Sequence, residues 1–322
     1  MSGCLALNAL EGKALLVLDA AALPSELPLA PIRVVVDRGG SLPGLDPADF
    51  DVLVTTRMNA PAPWVSVVPT RLDAQLARVQ GVVDRSPIAA SLLAQILRTG
   101  ENLDFDAALT LESLAYSTLL GGEEFAAWLA ARVTGVAEPQ SPAVVRYARD
   151  DDRVTLVLAS PGNRNAMTAA MRDALYEGLS NIIDDPSHPT VVLRGEGDCF
   201  STGGHLPEFG TAKDLARAHL IRTARSSARL LHRLGERAEA HVHGACIGSG
   251  IEIAAAAARR TAAPGTFVQL PEVAMGLIPG AGGTVSLARA IGRHRLLWLA
   301  LGNFRVGAEQ AMHWGLFDAI TP

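Results

Sequence analysis

Lysine is almost absent from this 322-residue chain. Lys13 and Lys213 stand alone, and scattered arginines carry the rest of the positive charge. A net charge of -5 without a basic cluster argues against a nucleic-acid partner, whose phosphates need clustered Lys and Arg. Cysteine is scarce too. Cys4, Cys199 and Cys246 are odd in number and far apart, which is no disulfide framework, and the reducing cytoplasm is the compartment expected. Charged residues make up only 19% against 49% hydrophobic, with mean hydropathy +0.22, which excludes an extended disordered chain. The longest apolar stretch, 244–258, is too short to span a bilayer and contains Glu252, so no membrane partner is expected. Residues 1–5 have no basic leader, and the apolar run after them breaks at Asn8 and Glu11, so no signal peptide is read. The expectation is a soluble intracellular protein of one large domain or two.

What is present divides at 1–70, 71–137 and 144–322. Runs at 14–18, 32–36, 51–54 and 64–68 have strand length and β-branched content, punctuated by Pro and Gly, and predict a small sheet. Residues 71–132 switch to helical spacing. Leu72, Leu76, Val79 and Val83 form one stripe, Ile88, Leu92, Leu93, Ile96 and Leu97 another, and further helices are expected over 106–120 and 123–132. The Pro-containing stretch 138–142 reads as a linker. From 144 onward strand, loop and helix alternate: strands at 154–158, 190–193, 238–242 and 266–270, with a helix capped by Thr168 running to about Asp184. Such alternation predicts an α/β layered fold.

Two glycine-rich loops each follow a strand: 195–205, and 243–250, which opens a helix predicted over 251–259. Glycine lets backbone approach a ligand, and free N–H groups at a helix start favour negative charge, so one N–H from each loop can serve a single oxygen. Tight turns in an α/β domain are the plain alternative. Neither loop matches a dinucleotide or phosphate-binding fingerprint. Glu252 lies in a helix that is apolar all round, where a lone carboxylate is costly unless it pairs with an arginine such as Arg259 or Arg260, or lines a cavity. Glu272 supplies a second carboxylate at a strand end, ahead of the glycine-rich 276–284. Two carboxylates beside an anion-stabilising loop make an acid/base pair.

These segments resemble the crotonase (enoyl-CoA hydratase/isomerase) superfamily. The likeness runs in order through Asn163-Arg164-Asn165-Ala166-Met167, Phe200 to Leu206, Val242 to Glu252, Leu270 to Gly283, Gly302 to Ala311 and Trp314 to Asp318, with the usual spacing. It implies a ββα spiral core over 144–322, joined to a helical module and a small N-terminal β-containing segment. It implies an acyl-CoA substrate whose thioester oxygen lies between the N–H groups of Gly204 and Ser249. Glu252 and Glu272 fall on the positions of the two catalytic glutamates of hydratases, and Gly280 on that of a glycine that helps hold the water. Asn163, Arg164, Asn165 and Ala166 match the loop that contacts the adenine of CoA, and Thr202, Gly203, His205 and Leu206 flank the first N–H donor. The family implies no cofactor beyond the coenzyme A of the substrate, and a homo-oligomer, trimer or hexamer. Keeping both glutamates favours hydration of an α,β-unsaturated acyl-CoA; an isomerase, another acyl-CoA transformation or a non-catalytic CoA-thioester binder are the alternatives.

Three features depart from the pattern. His205 stands where an aspartate is common, Ser249 replaces a glycine while keeping its N–H, and the helices that usually follow Asp318 are not there. Residues 71–132 resemble that missing tail through Ser86 to Ala90 and Ala107 to Glu112, which implies a circularly permuted order or an equivalent fusion. Residues 1–70 have no recognised counterpart. His241 and His243 alternate on one strand face without a third ligand, so no metal is expected. Cys199 and Cys246 read as buried packing residues rather than reactive thiols. Trp298 and Trp314 read as core or subunit interface.

Overall fold

Alternation within the first β-branched runs decides how they are used. In the computed structural model, which describes residues 9–132 and 144–322, β1 (Leu15–Asp19), β2 (Ile32–Asp37), β3 (Val52–Thr55) and β4 (Val65–Ser66) form a parallel sheet in that order. Val34, Val36, Val52 and Val54 face the main core, whereas Val35 and Leu53 pack with Phe50, Ala60 and Trp64 in a satellite cluster on the other face. Cys4 and the linker at 138–142 lie outside the described residues.

Helices α1 (Leu72–Arg85), α2 (Pro87–Gly100), α3 (Phe105–Leu120) and α4 (Glu123–Ala131) follow. Pro87 opens α2, where its missing N–H costs nothing, and the Asp104 carboxylate accepts from Ala107 N at 2.7 Å to cap α3.

The remaining chain winds between two sheets. In the larger, β5 (Val145–Asp150) runs antiparallel to β6 (Arg153–Leu158), and β7 (Thr190–Gly195), β8 (Ala238–Val242), β10 (Arg259–Ala262) and β13 (Ala319–Ile320) continue it in parallel. In the smaller, β9 (Ala245–Ile247) pairs with β11 (Phe267–Gln269), and β11 with β12 (Val306–Gly307). Single bridges, Ser201 to Cys246 and Met167 to Gly204, carry the smaller sheet back to earlier turns. Each turn gives one segment to each sheet and then a helix: α5 (Ala169–Asp184), α6 (Leu215–Ala224) with α7 (Ser227–Leu234), α8 (Ser249–Ala254), and α9 (Gly283–Ile291). This is the expected ββα spiral. Two more helices close it: α10 (Arg293–Gly302), buried along its length, and α11 (Ala308–His313).

One helix is shorter than its composition suggests. The run expected over 251–259 ends at Ala254, Ala255 to Ala257 make turn bonds, and Arg259 already belongs to β10, between β8 and β13. Sheet pairing overrides the helical preference of alanine there. Strand β5 was not anticipated; it is mostly exposed and turns into β6 at Asp151, whose φ of 50° is the only local sign. Trp298 and Trp314 are buried in the core of the chain.

Candidate active site

Glu252 sits on the short helix α8, 2% exposed, with Oε2 accepting from Ala281 N at 2.7 Å and Gly283 N at 3.0 Å. Neither Arg259 nor Arg260 pairs with it; Arg260 reaches Asp318 instead. Glu272 opens the turn Glu272–Met275 just after β11, and its Oε2 is buried without a hydrogen-bond partner. The two acids face one point. A methyl group built on Gly248 would stand 2.5 Å from Glu272 Oε1 and 3.9 Å from Glu252 Oε1, and Gly248 has φ +50°, so no other residue fits.

The two glycine-rich loops meet beside this pair. A Cβ on Gly203, at φ +85°, would lie 2.6 Å from Ile247 O, so glycine is what allows the loops to touch. Gly203 N donates to Ser201 Oγ, His205 N to Met167 O and Gly248 N to Gln269 O. Among the hydrogen bonds of the described residues, none uses the N–H of Gly204 or of Ser249. Both residues line the same cavity of about 530 Å³ as Glu252, Glu272, His205 and Gly280. His205 Nδ1 is buried there without a hydrogen bond, 3.7 Å from Glu208 Oε1.

Burial raises the carboxyl pKa values because low dielectric disfavours their charged forms. Glu272 is pushed up to about 8. Glu252 is raised by burial and then by the neighbouring charges of Glu272 and Glu112, against which the Ala281 and Gly283 amides pull down. Glu252 Oε2 thus holds two N–H donors, whereas Glu272 Oε2 holds none.

The remaining expected residues lie outside the cavity lining. Asn165 is fully buried; its Oδ1 accepts from Ser160 N, and its Nδ2 donates to Glu196 O and Cys199 O. Asn163 Oδ1 accepts from Ala166 N, and Arg164 O accepts from Thr202 N. Leu206 is 45% exposed, and its carbonyl accepts from Arg132, the residue that follows α4. The segment 163–166 is thus bound to the 199–203 loop, with Gly203 behind the cavity wall. Residues 208–218 also line it, through Glu208, Phe209 and Leu215.

Glu112, Tyr116 and Arg222 are among the lining residues that went unread in the sequence. Leu109, Glu112, Ser113 and Tyr116 share one helical face, and a carboxylate on that face was the available signal. Glu112 is 2% exposed and pushed up to about 7 by burial; Gly282 N, Thr284 N and Thr284 Oγ1 all donate to it. The Cys199 and Cys246 thiols are raised by burial, which suits packing rather than reactivity. His241 Nε2 lies 3.3 Å from Glu239 and His243 Nε2 2.8 Å from Gly197 O. Among the described residues no group of three His, Cys, Asp or Glu is placed to hold a metal ion, and no helix is long and apolar enough to cross a membrane.

Residues 153–322 match the family model described as enoyl-CoA hydratase/isomerase, so α1 to α4 lie outside the match. The fatty acid oxidation complex subunit alpha of Shewanella amazonensis is 33% identical over 179 residues, covering 54% of this chain and 25% of that protein. An enoyl-CoA isomerase/hydratase of Mycosarcoma maydis is 30% identical over 176 residues, covering 52% of this chain and 64% of its own length. The chain therefore spans a quarter of one relative and less than two thirds of the other. The enoyl-CoA hydratase of Thermoplasma volcanium superposes with a TM-score of 0.51 at 28% identity, over 55% of this chain and 71% of that one. That of Bacillus anthracis gives 0.51 at 26%, over 56% and 70%. With more than half of its length in the family match, the chain belongs to the enoyl-CoA hydratase/isomerase family.

Proposed function

We propose that the protein adds water across the C2=C3 bond of an α,β-unsaturated acyl-CoA. The observation that carries this reading is the pair Glu252 and Glu272, buried face to face across Gly248 beside the two free N–H groups of Gly204 and Ser249. In this reading the thioester oxygen accepts from those N–H groups. Glu252 takes a proton from water as the oxygen bonds to C3, and the π electrons move onto the thioester oxygen as an enolate. Glu272 then delivers its proton to C2, and the carbonyl re-forms. Preorganised donors at the developing charge and positioned acid and base are the two effects that such a step needs. Gly280 N–H falls where it helps hold the water, and Thr202, Gly203, His205 and Leu206 flank the oxyanion site.

CoA is carried by the substrate, with its adenine on the 163–166 loop, and no further cofactor enters. The helices α1 to α4 serve as the tail that family members carry after their core, moved ahead of it by permutation. A cytoplasmic homo-oligomer, trimer or hexamer, follows from the same reading. The test is to follow the ultraviolet absorbance of the enoyl thioester in crotonyl-CoA and longer or aromatic enoyl-CoAs. Its loss with wild type, and a rate about 10²–10⁴-fold lower in Glu252→Gln and Glu272→Gln, supports hydration. Conversion of a 3-enoyl-CoA to its 2-enoyl isomer without hydration of crotonyl-CoA assigns isomerisation instead, and unchanged hydration in both variants removes the two-carboxylate mechanism.

A further inference from the structure

Three arginines line the cavity, and two of them are spoken for. Arg172 and Arg225 both pair with Asp173, at 2.8 and 2.6 Å. Arg222 on α6 has no carboxylate within 4.0 Å among the described residues. Its Nη1 donates to Ser113 O at 3.2 Å, Ser113 Oγ at 2.9 Å and Ser117 Oγ at 3.0 Å, and its guanidinium stands 4.5 Å above the Tyr116 ring. Its Nε and Nη2 make no hydrogen bond with any described residue. The nearest acid that tempers it is Glu112, whose oxygens are already taken by the Gly282 and Thr284 amides and the Thr284 hydroxyl. Ser227 adds a second unfilled group: it lines the same cavity, is 4% exposed, and its Oγ has no partner.

A continuous wall links this polar end to the carboxylate pair. Gly280 lies against the Tyr116 ring, Ala281 donates to Glu252, and Gly282 packs against Ala228, the neighbour of Ser227. A thioester held at Gly204 and Ser249, with C2 and C3 between the glutamates, therefore runs its acyl tail along 280–282 toward Arg222. An uncharged tail would strip water from a half-buried guanidinium and return no acceptor, whereas a carboxylate pairs with its planar fork.

From this we infer that the acyl group ends in a carboxylate, received by Arg222 and Ser227, so that the substrates are thioesters of unsaturated dicarboxylic acids. The inference rests on the acyl-CoA reading of the site and names the substrate class within it. The phosphates of CoA are the other anions at hand, but the 163–166 loop expected to hold their nucleotide lies outside the cavity lining.

The test titrates the full chain with saturated, unreactive thioesters of matched length, glutaryl-CoA against pentanoyl-CoA, and follows turnover of the corresponding enoyl-CoAs. Wild type is expected to favour the carboxylated thioester by about 30-fold, because sites built around a buried polar group discriminate strongly against ligands that leave it unpaired. Arg222→Gln brings the ratio of the two affinities close to one, and Arg222→Lys, which keeps the charge, retains part of the preference and guards against a folding artefact. Equal affinities in wild type overturn the inference. So does an Arg222→Gln variant that weakens both thioesters alike with the ratio intact, since the arginine then serves CoA itself. Arg222-dependent preference without turnover of any enoyl-CoA keeps the inference and removes the hydratase reading. Hydration of crotonyl-CoA without any preference does the reverse.

Discussion

Glu112 and Glu252 hold the same four-residue turn from opposite sides. Glu252 Oε2 takes the N–H groups of Ala281 and Gly283, at 2.7 and 3.0 Å, while Glu112 takes those of Gly282 and Thr284, at 2.8 and 2.9 Å. These are the donors at the start of α9, which no carbonyl of the helix can satisfy and whose dipole favours negative charge. A side chain from the helices ahead of the core thus reaches the candidate base Glu252 through one shared turn.

Glu112 is accordingly a positioning residue. Glu112→Ala leaves two buried N–H groups and a hydroxyl unpaired and is expected to lower stability by about 2–5 kcal/mol, since each orphaned donor costs about 1–3 kcal/mol and partial relaxation recovers some of it. Glu112→Gln keeps one acceptor and the same shape, and loses less. The expected signature is a fall in kcat with KM little moved, together with a shifted pH profile as Glu252 loses the negative neighbour that raises it. Urea melts and steady-state kinetics on the two variants measure both effects. An intact pH profile together with wild-type kcat in Glu112→Gln would mean that the contact only stabilises the fold.

The same buried acids make stability fall as pH rises. Glu112 is held at about 7 and Glu272 at about 8, against an ordinary value of 4.5. The native state therefore keeps protons that the unfolded chain releases. Their contribution is fully present below about pH 4.5 and is lost as pH climbs through 7 and 8. Asp37, Asp106 and Asp173 are held below their ordinary values and act only at lower pH, so the window above 4.5 is free of them. Tm measured from pH 6.5 to 9, above the range in which His294, held at about 4, and His232 act with the opposite sign, should fall, and Glu272→Gln should flatten part of that fall. A Tm that rises across this window would show that Glu112 and Glu272 are not protonated in the native state.

Much of this arrangement was legible before the fold was. Periodicity located the four helices over 72–131 and the parallel strands, because amphipathic stripes and buried β-branched runs are local patterns. Glu252 stood out because a charge inside an apolar helix needs an explanation, and the structure supplies one in the amides of Ala281 and Gly283. Glu112 and Arg222 stayed hidden for the opposite reason. Each sits on a helix with other polar residues, where a charge looks solvated, and only the docking of α3 and α6 over the spiral buries it. The shortened helix α8 was hidden too, since alanine's helical preference says nothing about the partners waiting at β8 and β13.

Arg293 and Arg295 anchor the N-terminal sheet through carbonyls rather than acids alone. Arg293 donates to Phe50 O and Pro47 O, both at 3.0 Å, and Arg295 to Trp64 O and Ala60 O, both at 3.1 Å. Arg295 is 4% exposed, so Arg295→Ala leaves several buried carbonyls unpaired and opens a void. A loss of about 2–4 kcal/mol is expected, with earlier proteolytic cutting in residues 38–64 than in wild type. Limited proteolysis against time reads this out; an unchanged cutting order would mean that the sheet is held by its apolar face alone.

The last expectation concerns the order of the chain. α3 packs against α6 and α9, and α4 supplies Phe125 and Leu129 to the cavity wall, so the spiral core borrows part of its apolar cover from residues ahead of it. A fragment of residues 144–322 alone exposes that surface and is expected to aggregate, as large uncovered apolar patches do. Joining residues 72–132 after Pro322, in place of their position ahead of the core, restores the cover if the reach of the new linker suffices, and should restore solubility. Termini and linkers are where such rearrangement is tolerated, because few contacts cross them. Size-exclusion chromatography and enoyl-CoA turnover compare the two arrangements. A soluble, active 144–322 fragment would show that the helices are dispensable and would remove the permuted-tail reading, whereas activity regained only on rejoining them places their function in the pocket and not in their position along the chain.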